Sequence, residues 1–380
     1  MKILHIITNL KQGGAESVLY RLVSASSDHL THEVISLVSE DYYGPLLRRC
    51  GVRVHSLSMS PGRITWSDLR TLFHIIQSFQ PDVVQTWMYH ANFLGGMIAK
   101  VSSTAPVVWS VHHSDLGSAY NSRMTRFVAK LTAWLSPWLP AAIVYVSRSA
   151  AHQHHLFGFC DAKTIIIENG IDLSEFQIIP SARLRLRTEW GVEQDEQLIG
   201  CVARWDVYKD HRNLFQALSI LSTKRKPVRC VLAGVGMEAD NTDLISLIDE
   251  HLLSDKMILL GSRQDIPSIM SAIDLHVLPS IGEGFGNVTV EAMACGTPCV
   301  TTDVGAGARI VGDTGWVVPP ANPTGLAAAM IDALDRIRQD EAGQIHVACR
   351  QRIEQNFSID TMRSAYLDVW SGKKPDGRPL

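Results

Sequence analysis

The chain has 380 residues, 46% of them hydrophobic and 19% charged, with a formal net charge of −3. That length exceeds what one hydrophobic core usually organises, so two domains are expected. The composition shows neither the apolar depletion that marks disorder nor the basic excess of a nucleic-acid surface.

Seven cysteines are scattered along the chain without a CxxC pair, which argues against a disulfide framework or a zinc knot and fits a reducing cytoplasm. Of the 15 histidines, 11 precede residue 176, which would let the first half gain positive charge as pH falls. The opening run, residues 1–8, reads as a buried strand without a cleavage site. No apolar run approaches the roughly 18 residues of a membrane span. A cytoplasmic chain is expected, with peripheral attachment to a membrane face as an open option.

Taken in order, apolar runs at 3–8, 33–38, 52–57, 82–87, 107–111, 142–146 and 164–168 alternate with segments of helical spacing such as 15–23 and 69–78. This is the βαβ rhythm of a parallel, doubly wound sheet. Gly13-Gly14 follows the first strand, a turn that serves either close ligand approach or helix packing. His112 and His113 end the strand at 106–111, where an imidazole can bond a hydroxyl, and Asp115 is a weaker candidate nearby. Residues 123–138 place Phe127, Leu131, Trp134, Leu135 and Trp138 on one helical face, flanked by Arg123, Arg126 and Lys130. That profile suits a core-facing helix with a solvated edge, or an anionic membrane surface.

The rhythm breaks at residues 169–172, and the polar, Arg-rich stretch to Gly191, with Pro180, reads as an inter-domain connection. The expected domains are therefore 1–175 and 176–357. Alternation resumes at 198–203, 228–233, 257–260, 275–279 and 297–301, with a helix at 211–222, so the second half is another doubly wound domain. From residue 341 the chain reads helical to 370, interrupted at 357–358, and ends in a polar tail expected to be mobile. The last helix, about 358–372, is expected to pack back on the first domain.

Open parallel sheets bind ligands at the carboxyl ends of their strands, and two such domains facing each other would make a cleft for two substrates. After the strand at 275–279 comes a loop with Gly282, Glu283, Gly284, Phe285 and Gly286, then a helix-forming run. The glycines let backbone approach a ligand, Asn287 reads as the N-cap, and the free amides of that helix end suit a diphosphate. Glu291, read as lying in the first helical turn, can accept hydrogen bonds from a ribose diol; the alternative is ordinary compensation of the helix dipole. Arg204 and Lys209, five apart after the strand at 198–203, can converge on one phosphate.

The segment Glu283 to Glu291, followed by Ala292-Met-Ala-Cys-Gly-Thr-Pro298, resembles the EX7E motif of the retaining glycosyltransferases of family GT4, which have the GT-B fold. The resemblance extends to the segments 200–209, 232–236 and 260–265, to Val304-Gly305 and to Gly315, and covers most of residues 1–335. It implies two Rossmann-like domains facing an inter-domain cleft, the first for the acceptor and the second for a nucleotide sugar. It implies that Arg204 and Lys209 stabilise the departing diphosphate, that Glu283 orients the sugar, and that the amide region of Gly14 faces the diphosphate. His112 aligns with the family's active-site histidine, with His113 one step away. Arg263, Phe285, Gly286, Asn287 and Glu291 complete the implied donor site.

The implied reaction moves a hexosyl group from a UDP-sugar, or next GDP-mannose, to a hydroxyl of a glycan or lipid-linked acceptor in polysaccharide or lipopolysaccharide assembly. Asp303 and Asp313 are isolated, so no DxD-type metal site is expected, nor any cofactor beyond the nucleotide sugar. Three other readings stand beside this one. A sugar-nucleotide 2-epimerase shares the fold but usually lacks the EX7E context. A nicotinamide dehydrogenase lacks its GxGxxG here. A non-catalytic nucleotide-sugar binding module would bind without turnover.

Overall fold

The structure is a computed structural model that describes all residues except 26–28, 61–62, 115, 117–121, 194 and 225–227. The chain forms two compact units, Met1–Gly170 with Ile359–Leu380, and Ile171–Ser358.

The first unit is built on seven parallel strands: β1 (Lys2–Ile7), β2 (Thr31–Ser36), β3 (Arg53–Ser56), β4 (Val83–Trp87), β5 (Val107–Val111), β6 (Ala142–Tyr145) and β7 (Thr164–Ile166), in the order β3-β2-β1-β4-β5-β6-β7. Helices cover such a sheet on both faces, so its central strands are apolar throughout, and every residue of β4, β5 and β6 is buried. Two of the polar exceptions, Gln85 and Ser110, are paired. Gln85 donates to Ser110 Oγ at 3.0 Å and accepts from Trp370 Nε1 at 3.0 Å, while Ser110 Oγ and Tyr366 OH lie 3.1 Å apart. These bonds lock helix Ile359–Trp370 onto the sheet, since losing one would strand a buried polar partner at a cost of about 1–3 kcal/mol.

Helix Arg123–Leu135 of this unit buries the small residues Ala129, Thr132 and Ala133 and leaves Phe127 and Trp134 exposed. The core-facing reading of its aromatic face is thereby excluded.

The second unit has six parallel strands: β8 (Gln197–Val202), β9 (Val228–Ala233), β10 (Met257–Leu259), β11 (Leu275–Leu278), β12 (Cys299–Thr302) and β13 (Trp316–Val318), in the order β10-β9-β8-β11-β12-β13. The stretch read as a connection contains helix Pro180–Glu189, with proline in its first turn. It belongs to this unit because Arg187, itself buried, meets Asp274 at 3.1 Å and because Arg183 meets the same carboxylate at 2.5 Å. Among the described residues, no helix is long and apolar enough to cross a membrane. The polar tail closes on itself through a bridge between Lys373 and Pro379.

Histidine burial works against the expected charging of the first half. Desolvation holds His5 well below its ordinary pKa and pushes His32 and His154 down to about 4 and His112 to about 3. In the second unit it takes His211 to about 4 and His276 to about 3. These groups stay neutral in the folded chain while the unfolded chain binds protons below about pH 6.5. Their contribution is complete above that pH and is lost as pH falls toward the folded values, by up to about 1.4 kcal/mol per pH unit for each histidine. The thermal midpoint should therefore drop steeply between pH 7 and pH 5, with net proton uptake on unfolding. A midpoint flat across that range would refute the neutral assignment.

Candidate nucleotide-sugar site

Strand order reverses between β8 and β11, so the loops leaving these two strands lead to opposite faces and open a crevice at their carboxyl ends. The loop after β8 carries Arg204 and then one 3₁₀ turn, Val207–Lys209, started by Asp206, whose carboxylate accepts from the Tyr208 amide at 2.9 Å. That turn aims Lys209 at the loop after β11. Its Nζ donates to Glu283 Oε1 at 2.5 Å, and Ser280 Oγ donates to the same oxygen at 2.6 Å. The Ser280 carbonyl in turn accepts from Thr302 Oγ1 at 2.5 Å, and the Ile281 amide donates to the Tyr208 carbonyl at 2.8 Å.

The side chains of Lys209 and Glu283 are only 17% and 13% exposed. Arg204 is 60% exposed and bonds Asp206 at 3.0 Å through Nε. Each cation sits on its own carboxylate, because Asp206 lies two residues from Arg204 while Glu283 meets Lys209 across the crevice.

Glycines set how closely these loops approach. A Cβ on Gly305, at φ +60°, would lie 2.6 Å from the Glu283 carbonyl, and one on Gly234, at φ +142°, would overlap the Ala203 carbonyl. Gly286, at φ +109°, is itself the N-cap of helix Asn287–Ala294. Asn287 is therefore the first helical residue rather than the cap, and Glu291 stands in the second turn rather than the first. The left-handed turn explains both shifts, since glycine adopts it without steric cost.

The ring of Phe285 is buried against Phe357 at 5.9 Å between centroids, and its carbonyl accepts from the Ala306 amide at 3.2 Å. Arg263 grips Asp265 with two bonds of 2.8 Å, and those bonds hold the Asp265 carboxyl below its ordinary range.

In the first unit the order reverses between β1 and β4. Gly13 is the extended N-cap of helix Gly14–Ser24. A Cβ on Gly13 would overlap the Glu16 carboxylate, whereas one on Gly14 would meet nothing within 4 Å. The Glu16 carboxylate can swing away, so packing demands glycine at neither position.

His112 stacks on Trp87 at 5.2 Å, and among the described residues neither of its buried ring nitrogens has a partner. Its backbone amide donates to Met88 Sδ at 3.3 Å. Met88 has φ +69°, a strained value for a residue with a side chain, and nothing in the apolar run at 82–87 signals it. His113, the next residue, is half-buried, and Asp115 lies outside the described residues. Among the described residues no group of three or more His, Cys, Asp or Glu is arranged to hold a metal ion.

Residues 12–175 match the family described as Glycosyltransferase Family 4, and residues 196–336 match the one described as Glycosyl transferases group 1. An uncharacterized glycosyltransferase of Methanocaldococcus jannaschii is 26% identical over 336 residues, 84% of this chain and 83% of its own length. The glycogen synthase of Mycobacterium tuberculosis is 26% identical over 396 residues, covering 97% of this chain and 90% of that enzyme. Among solved structures, HepE of Anabaena in complex with UDP superposes with a TM-score of 0.84 at 23% identity, covering 98% of this chain and all of that one. With one doubly wound sheet in each unit and a matching family description over each half, the chain belongs to the group 1, family 4 glycosyltransferases of the GT-B fold.

Proposed function

We propose that the chain transfers a hexosyl group from a UDP-sugar, or next GDP-mannose, to a hydroxyl of a glycan or lipid-linked acceptor in polysaccharide or lipopolysaccharide synthesis, with retention of anomeric configuration. The observation that carries this reading is the Lys209–Glu283 pair at the switch point of the second unit, with Arg204 beside it on the same loop. UDP is favoured because the similarly folded HepE was solved with UDP and with UDP-glucose.

The two cations would act differently. An exposed pair such as Arg204–Asp206 is worth about 0–1 kcal/mol, so a diphosphate displaces Asp206 at little cost and gains a charge-assisted bond. Lys209 stays where Glu283 holds it and meets the charge that develops on the leaving phosphate. Glu283, fixed by Lys209 and Ser280, presents its other oxygen to sugar hydroxyls and serves to orient the sugar. Gly286, Asn287 and the backbone of Phe285 would cradle the nucleotide, Glu291 its ribose diol, and the segment at Arg263 its base.

Gly14 leaves room for the diphosphate or acceptor, and the neutral His112 would bond a donor-sugar hydroxyl through a nitrogen otherwise unpaired. Retention would proceed by front-face attack, the leaving phosphate taking the acceptor proton. The paired cations make a divalent ion unnecessary. A lipid-linked acceptor would bring the chain to a membrane face through Arg123, Arg126 and Lys130.

A thermal-shift screen of UDP-, GDP- and ADP-sugars should raise the midpoint most with a UDP-sugar, because selective binding stabilises the folded state. No shift with any of them would sink the donor assignment. Arg204→Ala should lower kcat about a hundredfold or more while leaving the midpoint unchanged. Lys209→Ala should lower both, since it strands Glu283, and excess chelator should leave the parent rate intact. A normal rate for Arg204→Ala would overturn the leaving-group role. Gly14→Ala should fold as well as the parent yet lose activity, whereas Gly305→Ala should destabilise by about 1–3 kcal/mol. Equal activity of Gly14→Ala and parent would leave that glycine without a role in the site.

A further inference from the structure

The second unit carries a cavity of about 590 Å³ whose lining includes neither Lys209 nor Glu283. It is bounded by the loop after β8, the start of helix His211–Lys224 and one side of helix Thr242–Glu250, and its volume is that of a small-molecule site. Trp205, Val207 and Leu247 form the apolar part of the lining. Trp205 is tightly packed, since a Cβ on Gly236 would lie 2.5 Å from its own. The polar part is mostly acidic: Asp206, Asp210, Asp243 and Glu250, against Arg212 as the one lining residue with a permanent positive charge. Asp206 answers Arg204 at 3.0 Å and Glu250 answers Arg212 at 2.8 Å. Asp210 and Asp243 have no ion-pair partner among the described residues.

Asp210 accepts from the Asn213 amide at 3.3 Å, and burial pushes its carboxyl up from the ordinary range, so its charge is carried at a cost to the fold. His211 points to a ligand independently of the acids. It lines the same cavity, is only 3% exposed, and packs its ring 5.0 Å from that of Trp205. Its Nε2 has no partner among the described residues, and folds keep few buried polar atoms in that state. Burial, with Lys209 nearby, takes its pKa down to about 4, and a neutral imidazole has a nitrogen that can accept from an ammonium N–H. We propose that this cavity binds a small aliphatic polyamine, its ammonium groups on the carboxylates and His211 and its methylene stem along Trp205, Val207 and Leu247.

The spread of the acids selects that occupant. Among the described residues no group of three or more His, Cys, Asp or Glu is arranged to hold a metal ion, so the four carboxylates do not converge on one point charge. A neutral ligand would leave Asp210 and Asp243 unanswered. Several ammonium groups on an apolar stem answer both and also cover the face of Trp205, where a cation is attracted to the ring.

The test is calorimetric titration of the full chain with spermidine at fixed ionic strength, beside 1-pentanol, which has a stem without charge, and magnesium chloride, which has charge without a stem. It uses neither sugar donor nor acceptor, so its outcome is separate from that of the transferase reading. Spermidine should bind saturably and the other two should not. Asp210→Asn/Asp243→Asn should weaken that binding about tenfold or more. This variant should keep the parent's thermal midpoint, since asparagine retains the acceptor oxygen and tolerates the left-handed φ of +46° at position 210. His211→Phe, which keeps a ring beside Trp205 and removes both nitrogens, should also bind less. Asp249→Asn, on the same helix but outside the cavity lining, should bind as the parent does. The proposal is overturned by absence of saturable spermidine binding, by equal binding of magnesium or pentanol, or by parent-like binding of the double variant or of His211→Phe. It is overturned equally by the same loss in Asp249→Asn, which would reduce the attraction to diffuse surface charge.

Discussion

The reversal of strand order is the constraint on which both candidate regions depend. Right-handed crossovers between parallel strands place successive helices on one face until the winding changes direction, and only there do two adjacent strands send their loops apart. In the second unit that point falls between β8 and β11, which is why Lys209 and Glu283, 74 positions apart, come within 2.5 Å. In the first unit it falls between β1 and β4, and there the turn at Gly13-Gly14 and the strained Met88 lie. Both candidate regions thus lie where the backbone leaves a gap without breaking its hydrogen bonds.

Most of this framework was legible in the sequence because a parallel sheet buried on both faces writes its strands as unbroken apolar runs. Twelve of the strands were read that way, within a few residues at their ends. β13 was not, since an edge strand of three residues with Val317 exposed carries too little apolar signal to stand out. Helix Pro180–Glu189 reads as a connection because it is polar and Arg-rich, yet one of its arginines, Arg187, is buried and answered by the distant Asp274 carboxylate and by the carbonyls of Ala272, Glu193 and Glu196. Propensity counted the arginine as solvent-facing, and a long-range ion pair overrode it.

The candidate site was legible as a set of residues and illegible as a set of pairs. Spacing identified Arg204, Lys209, Glu283 and Glu291, but which carboxylate answers which cation depends on loops meeting across the switch point. The local rule also failed at Asn287. A capping side chain in the right place reads as the cap, yet Gly286 takes the left-handed turn and starts the helix. Met88 left no trace because backbone strain is imposed by surroundings, here the junction of β4 with the helical segment after it.

Part of the polar content of the first unit's core is answered within the fold. Gln85, Ser110, Tyr366 and Trp370 satisfy one another, so the network costs little and specifies one seating of helix Ile359–Trp370 on the sheet. His5 and His32 likewise share a bond of 2.9 Å, with Trp87 donating to His5 at 3.2 Å. His112 differs: it stacks on that same Trp87 while both its nitrogens go unanswered among the described residues. A core histidine is ordinarily kept because its bonds are made within the fold. Among the described residues His112 thus differs from His5, His32 and His154, each of which makes at least one ring-nitrogen bond within the fold.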